Sequence, residues 1–155
     1  MEQNQANNTD FGRSVAGVAL RDGKVLLGRH TYGGGKGKLI IPGGYIDRGE
    51  SAEKALVREF MEETGVVVEP EGIIGIRFNL RDWYVVFRAK YVSGEAVADQ
   101  EENSEVIWMD VGEALQREDV PDLTKQMIAL ALKDGGLEAV PYQYNPKYGE
   151  ASLYG

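Results

Sequence analysis
The sequence predicts one α/β or α+β domain, a mixed sheet with helices packed against it. Three observations carry that expectation. Short apolar runs of strand character recur along the chain, bounded by Gly, Pro, Asn or Asp. Residues 51–64 and 121–133 instead place their apolar positions at helical spacing. No internal repeat or linker-like stretch divides the 155 residues, a length that buries a substantial core as one unit.

Taken in order, residues 1–12 are rich in Asn, Gln and Asp and read as a flexible tail. The domain proper is expected over 13–139, followed by a Tyr-rich C-terminal tail over 140–155. Ser14–Leu20 and Lys24–Gly28 read as strands, and Asp22-Gly23 between them predicts a tight hairpin. Gly33–Gly37 reads as a surface connection or, in the alternative, a flap that touches substrate. Lys38–Ile41 is a short strand ended by Pro42-Gly43-Gly44. Ser51 suits the N-cap and Gly65 the C-cap of a helix that ends at Thr64. Val66–Val68 starts a strand that Glu69-Pro70-Glu71-Gly72 is expected to break. Ile73–Leu80 and Trp83–Val92 then pair through a turn near Arg81-Asp82. An acidic connection through Asp99, Glu101 and Glu102 leads to a last strand, Glu105–Met109. Val111–Gln116 is a short helix, and Pro121 opens a longer one that ends near Lys133. The tail carries Tyr142, Tyr144, Tyr148 and Tyr154 with Pro141 and Pro146. It is expected to pack across its own domain or a partner subunit, with base stacking as the alternative.

Composition narrows the function. A net charge of −8 argues against non-specific nucleic-acid binding, which neutralises many phosphates with Lys and Arg. The absence of cysteine excludes disulfides and thiolate metal sites. No apolar run approaches the roughly 18–20 residues of a membrane span, and the N-terminus lacks a charged-then-apolar leader pattern. No membrane partner is therefore expected, and a cytoplasmic location is. An acidic chain that handles phosphates is expected to do so through divalent cations.

The 51–64 helix carries the chemistry. About 3.6 residues per turn set Glu59, Glu62 and Glu63 at neighbouring positions of one face, with Ala52 and Ala55 on the same side. Leu56, Val57, Phe60 and Met61 are expected to form a packing stripe elsewhere. A solvated acidic face would account for the glutamates alone, since each like-charge pair costs only about 0.2–0.5 kcal/mol. Their setting favours a cation: Pro42-Gly43-Gly44 precedes them, Glu50 stands before the helix, and Arg58 adjoins them. Hard oxygen ligands suit Mg2+ or Mn2+, whereas one His and no Cys speak against softer metals.

The run Gly44, Glu50, Arg58, Glu59, Phe60, Glu62, Glu63, Gly65, Val66 resembles the Nudix box of the Nudix (MutT-like) hydrolases at every fixed position. Pro42-Gly43 ahead of the box, Ala55 within it and Trp108 in a late strand fit the same family. Phe60 replaces a more usual Ile or Leu, and Leu39 stands where many members have Trp. The resemblance implies a Nudix-type α/β/α sandwich around a mixed β-sheet. It also implies a divalent-metal-dependent pyrophosphohydrolase acting on a small nucleotide-diphosphate substrate linked to another moiety. An ADP-ribose-like compound is favoured, with a (deoxy)nucleoside triphosphate as the alternative.

Carried over by position, Glu59, Glu62 and Glu63 are the implied ligands of Mg2+ (or Mn2+), Glu63 foremost. Glu59 and Glu62 are implied in catalysis, Glu59 as ligand or as the group orienting the attacking water. Arg58 is implied to pair with Glu50 and brace loop against helix. Backbone groups at Gly43 and Gly44 are implied near metal or phosphate, where glycine permits close approach. Outside the box, Glu101, Glu102 and Glu105 are candidates for the base, and Glu102 is chosen. Arg29, Lys36, Arg77 and Arg81 are candidates for substrate contact, led by Arg77. His30 is expected to be structural or exposed. Two other readings remain, a non-catalytic nucleotide-binding module and an acidic structural protein without ligand. A homodimer is the default assembly, and loops 33–38 and 80–83 with the tail are expected to set specificity.

Overall fold
The structure, a computed structural model, describes residues 11–155. Of the tail expected over 1–12, residues 1–10 lie outside the described residues, and Gly12 already opens a strand. That strand, β1 (Gly12–Arg21), is buried without alternation from Ser14 to Ala19. Continuous burial is what a central strand covered on both faces requires. Asp22 and Gly23 both take positive φ, 51° and 76°, so the turn has the twist that lets β2 (Lys24–His30) return as a hairpin. Next come β3 (Leu39–Ile40) and β4 (Gly43–Tyr45), the helix α1 (Ala52–Thr64), and β5 (Val67–Phe78). The rest is β6 (Asp82–Ser93), β7 (Asn103–Asp110), α2 (Val111–Ala114), α3 (Asp122–Leu132) and β8 (Leu137–Glu138).

The sheet order is β3-β2-β1-β6-β5-β8, with β4 paired to β1 and β7 to β2. β1 runs parallel to β6, whereas its pairs with β2 and β4 are antiparallel. Along its first half β1 is flanked by β4, at Ser14–Ala16, and it meets β2 only at Leu20 and Arg21. The sheet therefore splits beside β1, and the cleft described below is lined from that split. One apolar cluster packs Val15, Leu26 and Phe87 against Leu56 and Phe60 of α1. The other packs Val18, Leu27 and Val86 against Met127 and Ile128 of α3. Helices on both faces of a mixed sheet make an α/β/α sandwich.

Three expectations need correction. Glu69-Pro70-Glu71-Gly72 does not break β5; the register instead shifts between Pro70 and Gly72 and again between Ile73 and Gly75. Glu71 is the residue left unpaired, while Pro70 keeps Ala89 opposite it. On its other side β5 meets β8 only at Gly72 and Ile73, so Pro70 stands at an edge position, where a missing N–H is tolerated. The short strand β4 was not anticipated, because two glycines offer no alternation to read. A Cβ on Gly43 would overlap the Val15 carbonyl oxygen, so only glycine lets β4 lie this close.

The packing stripe of α1 is also different. Ala55, Leu56 and Phe60 are fully buried, Val57 is half-buried and Met61 is exposed. The buried arc continues through Glu59 and Glu63, so two carboxylates adjoin the core and Ala55 belongs to the apolar side. The helix bounds themselves agree with the sequence. Ser51 Oγ accepts the Lys54 N–H at 3.1 Å, and Gly65 closes the helix at φ 73°. The tail folds back on its own domain at its end, where Tyr154 packs edge-on against Phe87 and donates to Glu53 Oε2 at 2.7 Å, and the Gly155 N–H donates to the Glu138 carbonyl at 2.9 Å. Tyr142, Tyr144 and Tyr148 are exposed.

Candidate active site
Glu59 and Glu63 stand one turn apart on α1 with only 8% and 5% of their surface exposed. Isolated buried carboxylates are costly in the charged form. Glu63 Oε1 accepts one backbone N–H, from Gly43 at 3.4 Å, and Glu59 Oε2 lies 3.5 Å from Arg58 Nη1. Burial, with the neighbouring Glu59 adding to it, pushes the Glu63 carboxyl up to about 8. Burial pushes Glu59 up to about 7, against the pull of Arg58. A Cβ on Gly44 would overlap the Glu59 carboxylate, so the glycine strand β4 is what admits that carboxylate to the cleft wall.

Arg58 holds this arrangement from behind. Its Nε and Nη2 bind the two oxygens of Glu50 at 2.7 and 3.0 Å, and Nη2 also donates to the Tyr45 carbonyl at 3.1 Å. A two-pronged guanidinium–carboxylate contact fixes direction as well as distance. It ties the 46–50 loop and the end of β4 to α1, and it holds the Glu50 carboxyl below its ordinary range. Arg58 and Glu50 are thus joined across the loop and the helix.

The cleft has a volume of about 330 Å3 and is lined by Glu59, Glu63, Gly43, Gly44 and Asp47, with Glu102 and His30 from across the split. Glu102 accepts from the Tyr32 hydroxyl at 2.7 Å, and that bond pushes the phenol up to about 12. His30 stacks on Tyr32 at 6.2 Å, and burial lowers its pKa. A second polar group, Ser14, Arg77, Asp82 and Tyr84, completes the wall.

A sequence model of the NUDIX domain matches residues 10–130. The chain belongs to the NUDIX family. An ADP-ribose pyrophosphatase of Methanocaldococcus jannaschii is 36% identical over 63 residues, which are 41% of this chain and 37% of that protein. A MutT-like protein of Streptomyces ambofaciens is 36% identical over 107 residues, 67% of each chain. A solved NUDIX hydrolase from Nitrosomonas europaea superposes with a TM-score of 0.69 at 27% identity, covering 77% of this chain and 87% of the other.

The NUDIX box thus has a three-dimensional reading here. Both departures from its usual pattern and flank, Phe60 and Leu39, are fully buried apolar side chains that line no part of the cleft. Glu62, expected beside Glu59 and Glu63, instead faces outward with its side chain 57% exposed and bonded to Arg58 Nη1 at 3.0 Å. At about 100° per residue, 62 and 63 flank 59 on opposite sides, 63 toward the buried arc and 62 toward solvent. Among the described residues no three Asp, Glu or His side chains close on one point as a ready metal cage. The pair Glu59 and Glu63 nevertheless fits a hard divalent cation. Both are buried oxygen donors short of partners, and Mg2+ commonly takes one or two carboxylates, completing its shell with water and phosphate oxygens.

The remaining candidates separate cleanly. Arg77 lines the cleft, whereas Arg81, Lys36 and Glu101 are exposed and do not. Arg29 is bound to Glu105 at 2.9 Å and to Asp119 at 3.1 Å, an ion network that ties β2 to β7 and to the loop before α3. His30, expected to be structural or exposed, stands half-buried at the cleft wall. Sequence reasoning passed over Asp47, Tyr32, Ser14, Asp82 and Tyr84. The one local signal was Asp82 and Tyr84, polar residues alternating at a strand start and so sharing a face.

Proposed function
We propose that the chain is a divalent-metal-dependent pyrophosphohydrolase that cleaves a nucleoside diphosphate linked to another moiety, ADP-ribose-like compounds being favoured. The observation that carries this reading is the buried pair Glu59 and Glu63 against the glycine strand β4. Two carboxylates at about 7 and about 8 are held where only protons or a cation stabilise them. The NUDIX membership and the ADP-ribose pyrophosphatase name of the archaeal relative support the choice of chemistry and substrate class.

In this reading Glu59 and Glu63 hold Mg2+ or Mn2+, and Glu62 joins them only by releasing Arg58. A cation there would lower the pKa of a bound water and stabilise charge on phosphoryl oxygens. The backbone of Gly43 and Gly44 lets the diphosphate approach. Arg58 keeps the helix and the 46–50 loop in register. Glu102, oriented by Tyr32, accepts a proton from the attacking water. Water adds to one phosphorus while the bridging P–O bond breaks, so ADP-ribose yields AMP and ribose 5-phosphate. No helix among the described residues is long and apolar enough to cross a membrane.

The test is a panel of ADP-ribose, nucleoside triphosphates and dinucleoside polyphosphates with Mg2+ or Mn2+, with phosphate, pyrophosphate and nucleotide products read separately. The expected result is metal-dependent AMP release from ADP-ribose at the highest kcat/KM. Pyrophosphate release from a triphosphate at higher kcat/KM would move the chain to the alternative substrate class. Binding without turnover across the panel would make it a nucleotide-binding module.

A further inference from the structure
The second polar group in the cleft has an order of its own. Ser14 of β1, Tyr84 of β6 and Arg77 of β5 are register partners, so they form one row across three adjacent strands and face the cleft together. Asp82 lies two residues before Tyr84 and shares that face. Its Oδ2 accepts from Ser14 Oγ at 2.7 Å and its Oδ1 from Arg77 Nη1 at 2.7 Å. The Arg77 guanidinium also sits 5.2 Å over the Tyr84 ring. Burial works to raise the Asp82 carboxyl, yet the bonds from Ser14 and Arg77 outweigh it, and the group is held ionised.

This group is built and still has capacity to bind. Each carboxylate oxygen has two acceptor sites, so Asp82 keeps one on each oxygen. Among the described residues no side-chain or backbone acceptor meets Arg77 Nε or Nη2, and both side chains reach solvent, at 27% and 14% exposure. Among the described residues, Arg77 is the one Lys or Arg that lines the cleft. It would be the natural phosphate anchor if it stood alone. Asp82 at 2.7 Å cancels its charge and would repel a phosphate placed there. A fixed acceptor beside a fixed planar donor fork suits an uncharged planar group that offers a donor next to an acceptor.

The geometry points to Asp82 and Arg77, positioned by Ser14 and Tyr84, as the pair that reads the hydrogen-bonding edge of the substrate's nucleobase. This rests on the nucleotide reading above and adds to it the residues that set base preference. The diphosphate goes to the Glu59–Glu63 side, and Arg77 serves the base instead of the phosphates. A site built to bond a polar edge rejects analogues that lack it more strongly than an apolar slot can, because its own groups are left unpaired.

The test uses AMP and IMP, which share ribose and phosphate but differ in the donor and acceptor pattern of the purine edge. Dissociation constants are measured in excess Mg2+ for wild type, Asp82→Asn and Ser14→Ala, with melting temperatures to confirm folding. Wild type is expected to separate the two ligands at least tenfold. Asp82→Asn places an amide where a carboxylate was, and should move the AMP/IMP ratio more than tenfold. Ser14→Ala should move it in the same direction by less. A wild-type ratio below threefold, or a ratio in folded Asp82→Asn within threefold of wild type, overturns the assignment. So does a variant that alters only the preference between AMP and 2′-deoxy-AMP, which would move the pair to the ribose. Hydrolysis of ADP-ribose and of its hypoxanthine counterpart is assayed in parallel. Absence of turnover there defeats the hydrolase reading, while the ratio of binding constants decides the base assignment separately.

Discussion
A carboxylate with 5% of its surface exposed and one backbone donor at 3.4 Å is held in place by its surroundings and not by its own bonds. Glu63→Gln keeps the shape and removes the charge. Turnover should fall by at least about 10²-fold, the scale of losing one preorganised charge-stabilising group. The metal-free variant should melt higher than wild type at pH 8, because a buried ionised group has been neutralised. Near-normal kcat would remove Glu63 from the metal site. Arg58→Lys tests the brace behind it. Lysine cannot reproduce the two-pronged contact with Glu50, and with hydrogen bonds to charged groups contributing about 1.5–3 kcal/mol, stability should drop by about that amount. Chemical denaturation with an unchanged m-value would measure it. Helical spacing brought Glu59 and Glu63 together in the sequence, and the resemblance to the Nudix box implied the pairing of Arg58 with Glu50; one helix and its entry loop carry all four. Ser14 and Asp82 meet across 68 positions of sequence through the parallel pairing of β1 with β6. No local pattern encodes such a meeting.

Elements were legible in proportion to how local their determinants are. α1 was readable to the residue because its caps, Ser51 and Gly65, lie within the helix's own sequence. The β1–β2 hairpin was readable because Asp22-Gly23 fixes the turn. β4 and the continuity of β5 were not readable. One is a glycine strand whose only mark is the space it leaves, and the other carries Pro70 at an edge position that β8 does not reach. Two substitutions separate these cases. Ser51→Ala loses the bond to the Lys54 N–H and should cost about 1 kcal/mol with activity retained. Gly44→Ala has the opposite profile. Its new methyl must displace the Glu59 carboxylate or lift β4 from β1, so kcat should fall well beyond any change in melting temperature. Full activity in a folded Gly44→Ala protein would show that β4 does not shape the site.

At the scale of the molecule, two sets of carboxylates pull stability in opposite directions with pH. Glu50, Asp82 and Asp119 are held below their ordinary values by Arg58, by Ser14 and Arg77, and by Arg117 and Arg29 respectively. Their contribution is present above the unfolded-state carboxylate range and is lost on acidification. Glu59 and Glu63 behave the other way, at about 7 and about 8 against an ordinary 4.5. Below pH 4.5 both are protonated in folded and unfolded chains and contribute no slope. Between there and about 8 the unfolded chain ionises first and the native chain binds more protons, so stability falls as pH rises. The metal-free protein should therefore be most stable in mildly acidic solution and lose on the order of a few kcal/mol by pH 8.5. A divalent cation bound by the same carboxylates replaces those protons and stabilises only the native chain. Melting curves in EDTA and in excess Mg2+, from pH 5.5 to 8.5, measure both effects. The melting temperature in EDTA should decline across the range, and the gap opened by Mg2+ should widen with it. In Glu59→Gln/Glu63→Gln the decline and the gap should both vanish. A gap of constant size from pH 5.5 to 8.5, or one that persists in the double variant, would place the cation somewhere other than these two carboxylates.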